Sequence, residues 1–195
     1  LGEENWWKVI RYYLKSNANK SVFTEDFREA IEKTTGEPMD WFFDQWVYKM
    51  GHPIFEVSKK YADGKLTLNV KQTQQIDKNN EYPQTEFFQG KIGIEIDGKI
   101  ETVWLKPQTE NVFTFNPPTP PKFVNFDYEN TWIRELNYEQ PFDELLAQFE
   151  NTKDTLARQS AMFAIVQIAK DAKTSADDKA RVRNALRAKL LSNEY

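Results

Sequence analysis

Hydrophobic positions recur along this chain with two different periods, and the change between them divides it into three stretches. From Asn5 to Leu14 the apolar residues Trp6, Ile10, Tyr13 and Leu14 share one side at helical spacing, with Asn5 placed to cap the first free N–H groups. Thr24 is expected to cap a second helix, with Glu25 and Asp26 in its first turn and Phe27, Ala30 and Ile31 facing inward. After Thr34 to Pro38 breaks the pattern, Met39, Phe42, Phe43, Trp46, Val47 and Met50 fall at i, i+3, i+4, i+7, i+8 and i+11, which predicts an aromatic helix from Asp40. Gly51 can take the left-handed backbone that ends a helix, and Pro53 holds His52 extended.

Beyond Pro53 the period becomes two. Leu66, Leu68 and Val70 alternate with polar residues, as do Ile92, Ile94 and Ile96. Asp63-Gly64 and Asp97-Gly98 each sit between two alternating runs and predict tight hairpins, Ile54 to Tyr61 with Lys65 to Gln72, and Ile92 to Ile96 with Ile100 to Leu105. Short aromatic runs at Val112 to Phe115 and Phe123 to Phe126 flank the Pro-rich connector 116–121, and Thr131 to Leu136 supplies a last strand. Gly90 and Gly93 within the third run signal a bulge or close packing. The expected fold is a multi-unit α+β arrangement: a short helical segment, an antiparallel β-sandwich of about seven strands, then helices.

Past Asn137 helical spacing returns. Pro141 suits a first turn ahead of Phe142, Leu145, Leu146 and Phe149, and Asp154 caps a helix to about Lys170. The middle of that helix, Ala161 to Ala169, is apolar nearly all round, so it is expected to be covered on more than one side. A further helix, Ala176 to Leu191, follows a Thr174-Ser175 turn, and the antiparallel pair reads as the beginning of an α-solenoid.

Composition narrows the function classes. A chain of 195 residues, 39% hydrophobic with 14 Phe, 8 Tyr and 6 Trp, has the means to bury a core. Its formal net charge of −4 gives no electrostatic footprint for nucleic acid. With no cysteine, disulfides and thiolate chemistry are excluded together, and no apolar run approaches the roughly 20 residues of a membrane span. The chain opens Leu-Gly-Glu-Glu-Asn without an initiator Met or a leader, and is expected to be a piece of something longer.

Candidate chemistry is sparse. His52 is the single histidine and is expected to be a turn residue beside Pro53 rather than a metal ligand. The carboxylate pairs Glu3/Glu4, Glu25/Asp26 and Asp177/Asp178 each lie at a helix start, where the macrodipole accounts for them. The aromatic groups Trp6/Trp7 and Trp41/Phe42/Phe43/Trp46 are weighed as stacking platforms and assigned to packing, and Arg181, Arg183, Arg187 and Lys189 to a solvated helix face. No catalytic, cofactor-binding or metal-binding residue is therefore assigned.

One stretch carries a resemblance. Gly36-x-x-Met-Asp-Trp-Phe-Phe-Asp-Gln-Trp46, then Gly51-His-Pro53, then Lys65-Leu-Thr-Leu-Asn-Val-Lys-Gln72, resembles the junction between the catalytic domain and the β-sandwich of aminopeptidase N-like zinc metallopeptidases. His52 stands where that pattern usually has an aromatic residue, which leaves the turn intact. The resemblance implies catalytic-domain helices over 1–52, a β-sandwich domain over 53–136 and the start of a C-terminal helical domain over 137–195. It further implies a parent that removes N-terminal residues from peptides with one zinc ion, whose H-E-x-x-H motif lies upstream. The partners implied are the upstream catalytic domain and downstream helical domain of the same chain and the parent's peptide substrates, with no nucleic acid and no membrane span. Two other readings stay open: a protein-binding scaffold from a relative without the zinc motif, and a free-standing adhesion or carbohydrate-binding sandwich. Cytoplasm and periplasm remain equally open.

Overall fold

The computed structural model describes residues 1–192. Two compact units are present, one made of residues 1–51 with 75–86, the other of residues 52–74 with the chain from Phe87 onward.

The first unit holds α1 (Glu3–Ser16), α2 (Thr24–Thr35) and α3 (Asp40–Phe43), the last running into one π-helical turn, Asp44–Tyr48. Its core is Val9, Ile31, Met39 and Phe43, with Phe27 packed against them. The inward face of α1 is centred on Val9, with Trp6 and Tyr13 edge-on to Phe27 at 6.1 and 5.1 Å. Leu14, expected inside, is 63% exposed, because one step beyond Tyr13 turns the side chain about 100° away from the face. Asn5 is not a cap: it lies within the first turn and its Nδ2 donates to the Leu1 carbonyl at 3.1 Å. At α2 Thr24 is the first helical residue, and Asp26 does the capping by accepting the Phe23 N–H at 2.7 Å. Gly36, at φ 75°, closes α2 in the left-handed conformation.

The aromatic helix departs from expectation. A π turn fits one more residue into its turn than an α-helix does, so the 3.6-residue spacing loses phase after Phe43. Gln45 turns inward at 3% exposed, while Val47 and Met50 face out; Phe42, ahead of the π turn, is also exposed, and the loss of phase does not account for it. The helix stops at Tyr48, ahead of Gly51, because Lys49 is extended and Met50 pairs with the returning segment. Met50 N–H donates to the Pro83 carbonyl, and Thr85 N–H to the Met50 carbonyl.

The second unit contains β1 (Ile54–Ala62), β2 (Lys65–Gln72), β3 (Gly90–Ile96), β4 (Lys99–Leu105), β5 (Glu110–Phe115), β6 (Val124–Phe126) and β7 (Glu135–Tyr138). They form a four-stranded sheet, β5-β2-β1-β7, and a three-stranded sheet, β4-β3-β6. Asp63 and Gly64 (φ 51° and 73°) and Asp97 and Gly98 (φ 48° and 84°) make the two tight hairpins, each with positive φ at both central residues. One hydrophobic core draws on both sheets, with Phe55, Val57, Leu66, Leu68 and Val70 from the first and Ile92, Ile94, Ile96, Val124 and Phe126 from the second. Gln72 ends β2 with a two-point clasp on Phe88, its Nε2 donating to the carbonyl and its Oε1 accepting the N–H, both at 2.8 Å. Gly93 is a close approach: a Cβ there would lie 3.2 Å from the Tyr128 Cβ.

Not every strand is antiparallel. β7 runs parallel to β1, with Ile54 opposite Glu135. The chain reaches it from the other sheet through the turn Tyr128–Asn130, and so is not bound to reverse as a hairpin must. β7 also begins later than expected, because the N–H groups of Thr131 and Trp132 are taken by the Asp127 carboxylate.

The helices α4 (Phe142–Asn151), α5 (Thr155–Lys170) and α6 (Ala176–Leu191) share a core of Leu146, Phe149, Ala161, Ile165, Val182 and Ala185. Asp154 caps α5 through Leu156 and Ala157 N–H, and Ser175 caps α6 through Asp178 N–H. Among the described residues α5 is packed by α4, α6 and the turn Tyr128–Asn130, with Ala157, Ala161 and Ile165 buried and Met162, Val166 and Ala169 half-buried, and one side is left open. Phe163 is 56% exposed on that side. No described helix is long and apolar enough to cross a membrane.

Candidate functional site

Strand alternation turns Glu95 away from the core that Ile94 and Ile96 enter, which on a free sheet face would leave it in water. It is instead 1% exposed, because the α4–α5 junction lies over it. The Thr152 hydroxyl donates to Glu95 Oε2 at 2.6 Å, and Asn125, its register partner across to β6, donates Nδ2 to Glu95 Oε2 at 3.4 Å and to Asp154 Oδ2 at 3.1 Å. Asp154 also accepts the Glu129 N–H at 2.6 Å on that oxygen, and the Leu156 and Ala157 N–H groups on Oδ1.

Two further clusters continue this seam. Asp127, 1% exposed, accepts from Thr131 N–H and hydroxyl and from Arg134 Nε at 2.8 Å, while Arg134 Nη2 donates to Asn130 Oδ1 at 2.6 Å. To present these groups the backbone takes positive φ at Asp127, Glu129 and Asn130 (64°, 65° and 48°). At the other end Glu144 accepts the Val124 N–H at 3.0 Å, Gln140 Nε2 at 3.1 Å and Lys59 Nζ, and Lys59 also donates to the Tyr138 hydroxyl at 3.0 Å. Burial pushes the Tyr138 hydroxyl well above its ordinary pKa, and the neighbouring Glu144 charge adds to this. A cavity of about 370 Å³ lies among these groups, with Asn125, Arg134, Tyr138, Gln140 and Gln148 in its wall.

Asp154 receives donors on both oxygens, Asp127 and Glu144 likewise, so these carboxylates are held as acceptors. The Thr152–Glu95 contact has the form of a hydroxyl with an adjacent base, and Thr152 is 0% exposed.

The residues weighed from the sequence lie elsewhere. His52 Nε2 is 2.9 Å from Glu135 Oε1 at the surface. Among the described residues no group of three or more His, Asp and Glu is arranged to hold a metal ion. Glu3/Glu4, Glu25/Asp26 and Asp177/Asp178 are in the first turns of α1, α2 and α6. Arg181 is paired with Asp143 and Asp178. Phe43 joins the first unit's core, and Trp41 lies edge-on to Phe42 at 5.8 Å. Of the seam, only Asp154 was legible, as a cap. Glu95, Asn125, Asp127 and Arg134 carry no signal in the sequence, since their burial is decided by a helix junction far along the chain.

No family model matches the chain. Among curated proteins, puromycin-sensitive aminopeptidase of Caenorhabditis elegans is 24% identical over 149 residues, 75% of this chain and 15% of that protein. Aminopeptidase M1 of Arabidopsis thaliana is 38% identical over 68 residues, 35% of this chain and 8% of that protein. Tricorn protease-interacting factor F2 of Thermoplasma volcanium is 30% identical over 83 residues, 43% of this chain and 11% of that protein. The crystal structure of Legionella pneumophila aminopeptidase A in complex with aspartic acid superposes with a TM-score of 0.80 at 18% identity, over 100% of this chain and 23% of that one. The chain thus spans a small part of the length of the relatives it matches.

Proposed function

Starting from a chain that is aminopeptidase N-like in sequence and in fold, we propose that it is a non-catalytic, structural portion of a zinc-dependent aminopeptidase whose intact form removes N-terminal residues from peptides. In this reading residues 1–52 are the last helices of the catalytic domain, 53–136 a β-sandwich and 137–195 the first helices of an α-solenoid. The observation that carries it is the buried polar seam, which joins the two strands β3 and β6 to the α4–α5 junction with its carboxylates held as acceptors. Buried carboxylates satisfied in this way fix one geometry between sheet and helices, which is what a brace requires.

Zinc chemistry is assigned to the parent and not to these residues. A zinc-hydrolase site takes two imidazoles and a carboxylate, and here the single His52 is bonded to an exposed Glu135, with no third ligand beside it among the described residues. Exposed apolar side chains on the first unit, among them Phe23 at 75%, Leu14 at 63% and Trp7 at 49%, fit a surface that further chain covers in the parent. The same holds for Phe163 and Leu190 on the last helices.

The purified chain is expected to bind no stoichiometric zinc and to leave aminoacyl chromogenic substrates intact. Chelator-sensitive turnover would overturn the reading. A scaffold whose parent lacks the zinc motif shares every feature above, and the parent's upstream sequence separates the two: an H-E-x-x-H followed by Glu about 20 positions later favours the enzyme.

A further inference from the structure

The cavity bounded by β6, β7, α4 and α5 is not needed for bracing, and its wall has hydrogen-bonding positions that the protein leaves unengaged. We propose that it binds an uncharged, polyhydroxylated small molecule of monosaccharide size. Its volume of about 370 Å³ falls at the small end of the roughly 300–1,000 Å³ spanned by small-molecule sites.

The class of ligand follows from which wall atoms are engaged. Asn125, 7% exposed, donates both its Nδ2 hydrogens to Glu95 and Asp154, and its Oδ1 accepts from no protein group among the described residues. Gln140 likewise directs Nε2 at Val124 O, Glu144 and Gln148, leaving Oε1 as a second acceptor. On the donor side Arg134 uses Nε on Asp127 and Nη2 on Asn130 Oδ1, so Nη1 and the Asn130 amide hydrogens are unengaged. Ser160 adds a hydroxyl, able to do both, at the exposed rim. Acceptors and donors are therefore mixed around one space, the pattern that hydroxyl groups satisfy because each gives and takes a bond.

Charge argues the same way. Arg134 is paired with Asp127, and Lys59 with Glu144, before any ligand arrives. A carboxylate or an ammonium entering this wall would find no unpaired counter-ion and would lose its hydration without compensation. Half-buried Leu136 and Leu145 supply an apolar side for C–H groups. The inference uses none of the aminopeptidase reading and stands or falls apart from it.

The test is a titration of the ¹⁵N-labelled chain with glucose, galactose and mannose, followed at the side-chain amide signals of Asn125, Gln140 and Gln148. At least one hexose is expected to shift these signals saturably. Ala164→Leu, which fills the cavity from α5, is expected to weaken binding about tenfold, the loss of roughly one to two net hydrogen bonds. Ser160→Ala, at an exposed helical position where alanine suits the backbone, removes a hydroxyl from the cavity wall and is expected to weaken it several-fold. Each variant's backbone spectrum reports whether it folds, and either folded variant decides. No saturable shift with any of the three hexoses overturns the proposal, as does unchanged binding in a folded variant. So does saturation of the same signals by acetate, methylammonium or N-methylacetamide at lower concentration than by the hexoses.

Discussion

Asp127 shows how much one side chain can fix. Its carboxylate holds Arg134 Nε and the Thr131 N–H and hydroxyl at 0% side-chain exposure, and three backbone positions adopt positive φ around it. Asp127→Asn would leave the largely buried Arg134 guanidinium without its counter-ion, a loss on the order of 3 kcal/mol. Urea denaturation should therefore show a lowered midpoint with an unchanged m-value; a midpoint within error of the parent would mean the pair is not holding the corner. Tyr138 gives a pH signature. Burial raises its pKa, so the folded state keeps the phenolic proton at pH values where the unfolded chain, titrating at about 10, has lost it. Unfolding then releases a proton, and stability is complete below pH about 10 and falls as pH rises past it. Tyr138→Phe removes this contribution, and a plot of thermal midpoint against pH should fall less steeply above pH about 10 than it does for the parent.

Among the elements, those governed by neighbours in sequence were legible and those governed by distant cover were not. Asp63-Gly64 and Asp97-Gly98 specify their hairpins through local backbone preference, and Asp154 caps α5 through N–H groups two and three residues on, whereas the caps read at Asn5 and Thr24 fall inside their helices, which begin earlier than those caps require. The aromatic helix failed because its apolar spacing assumed α geometry throughout, whereas pairing of Met50 with Pro83 and Thr85 draws the chain out after a π turn. Glu95 gave no signal because alternation says which face a strand residue occupies but not what lies on that face. The cap and the seam meet at Asp154, which serves α5 through Oδ1 and Asn125 and Glu129 through Oδ2. Asp154→Ala should consequently cost more than the roughly 1 kcal/mol of an ordinary lost cap, since it also leaves buried Asn125 short of a partner. Asp26→Ala at the exposed start of α2 is the control expected near 1 kcal/mol or below, and equal losses in the two variants would show that Asp154 acts as a cap alone. Gly93→Ala tests the sheet in the same manner: with Tyr128 Cβ 3.2 Å from the added methyl, a loss of about 1 kcal/mol is expected as Tyr128 gives way.

Over the whole molecule, what distinguishes this chain is how much large apolar side chain it leaves in water while its cores are well formed. Leu66, Leu68, Phe55 and Ile165 are at or below 1% exposed, yet Phe23, Leu14 and Leu190 are 75%, 63% and 72% exposed. An apolar residue that packs against nothing adds little to the stability of the folded state, so replacing it should be nearly neutral for folding, within about 0.5 kcal/mol. It does add to association, because exposed apolar area is buried whenever two surfaces meet. Leu14→Lys with Phe23→Ser should accordingly leave the thermal midpoint almost unchanged while lowering dye binding to exposed apolar surface and reducing self-association at high concentration. The proposed parent makes the opposite demand on these residues: where further chain covers Leu14 and Phe23, the same pair of substitutions in the full-length protein should lower its midpoint by an amount absent from the 195-residue chain. Equal effects in both would mean that nothing covers this face, and would remove the support it lends to the catalytic-domain assignment of residues 1–52.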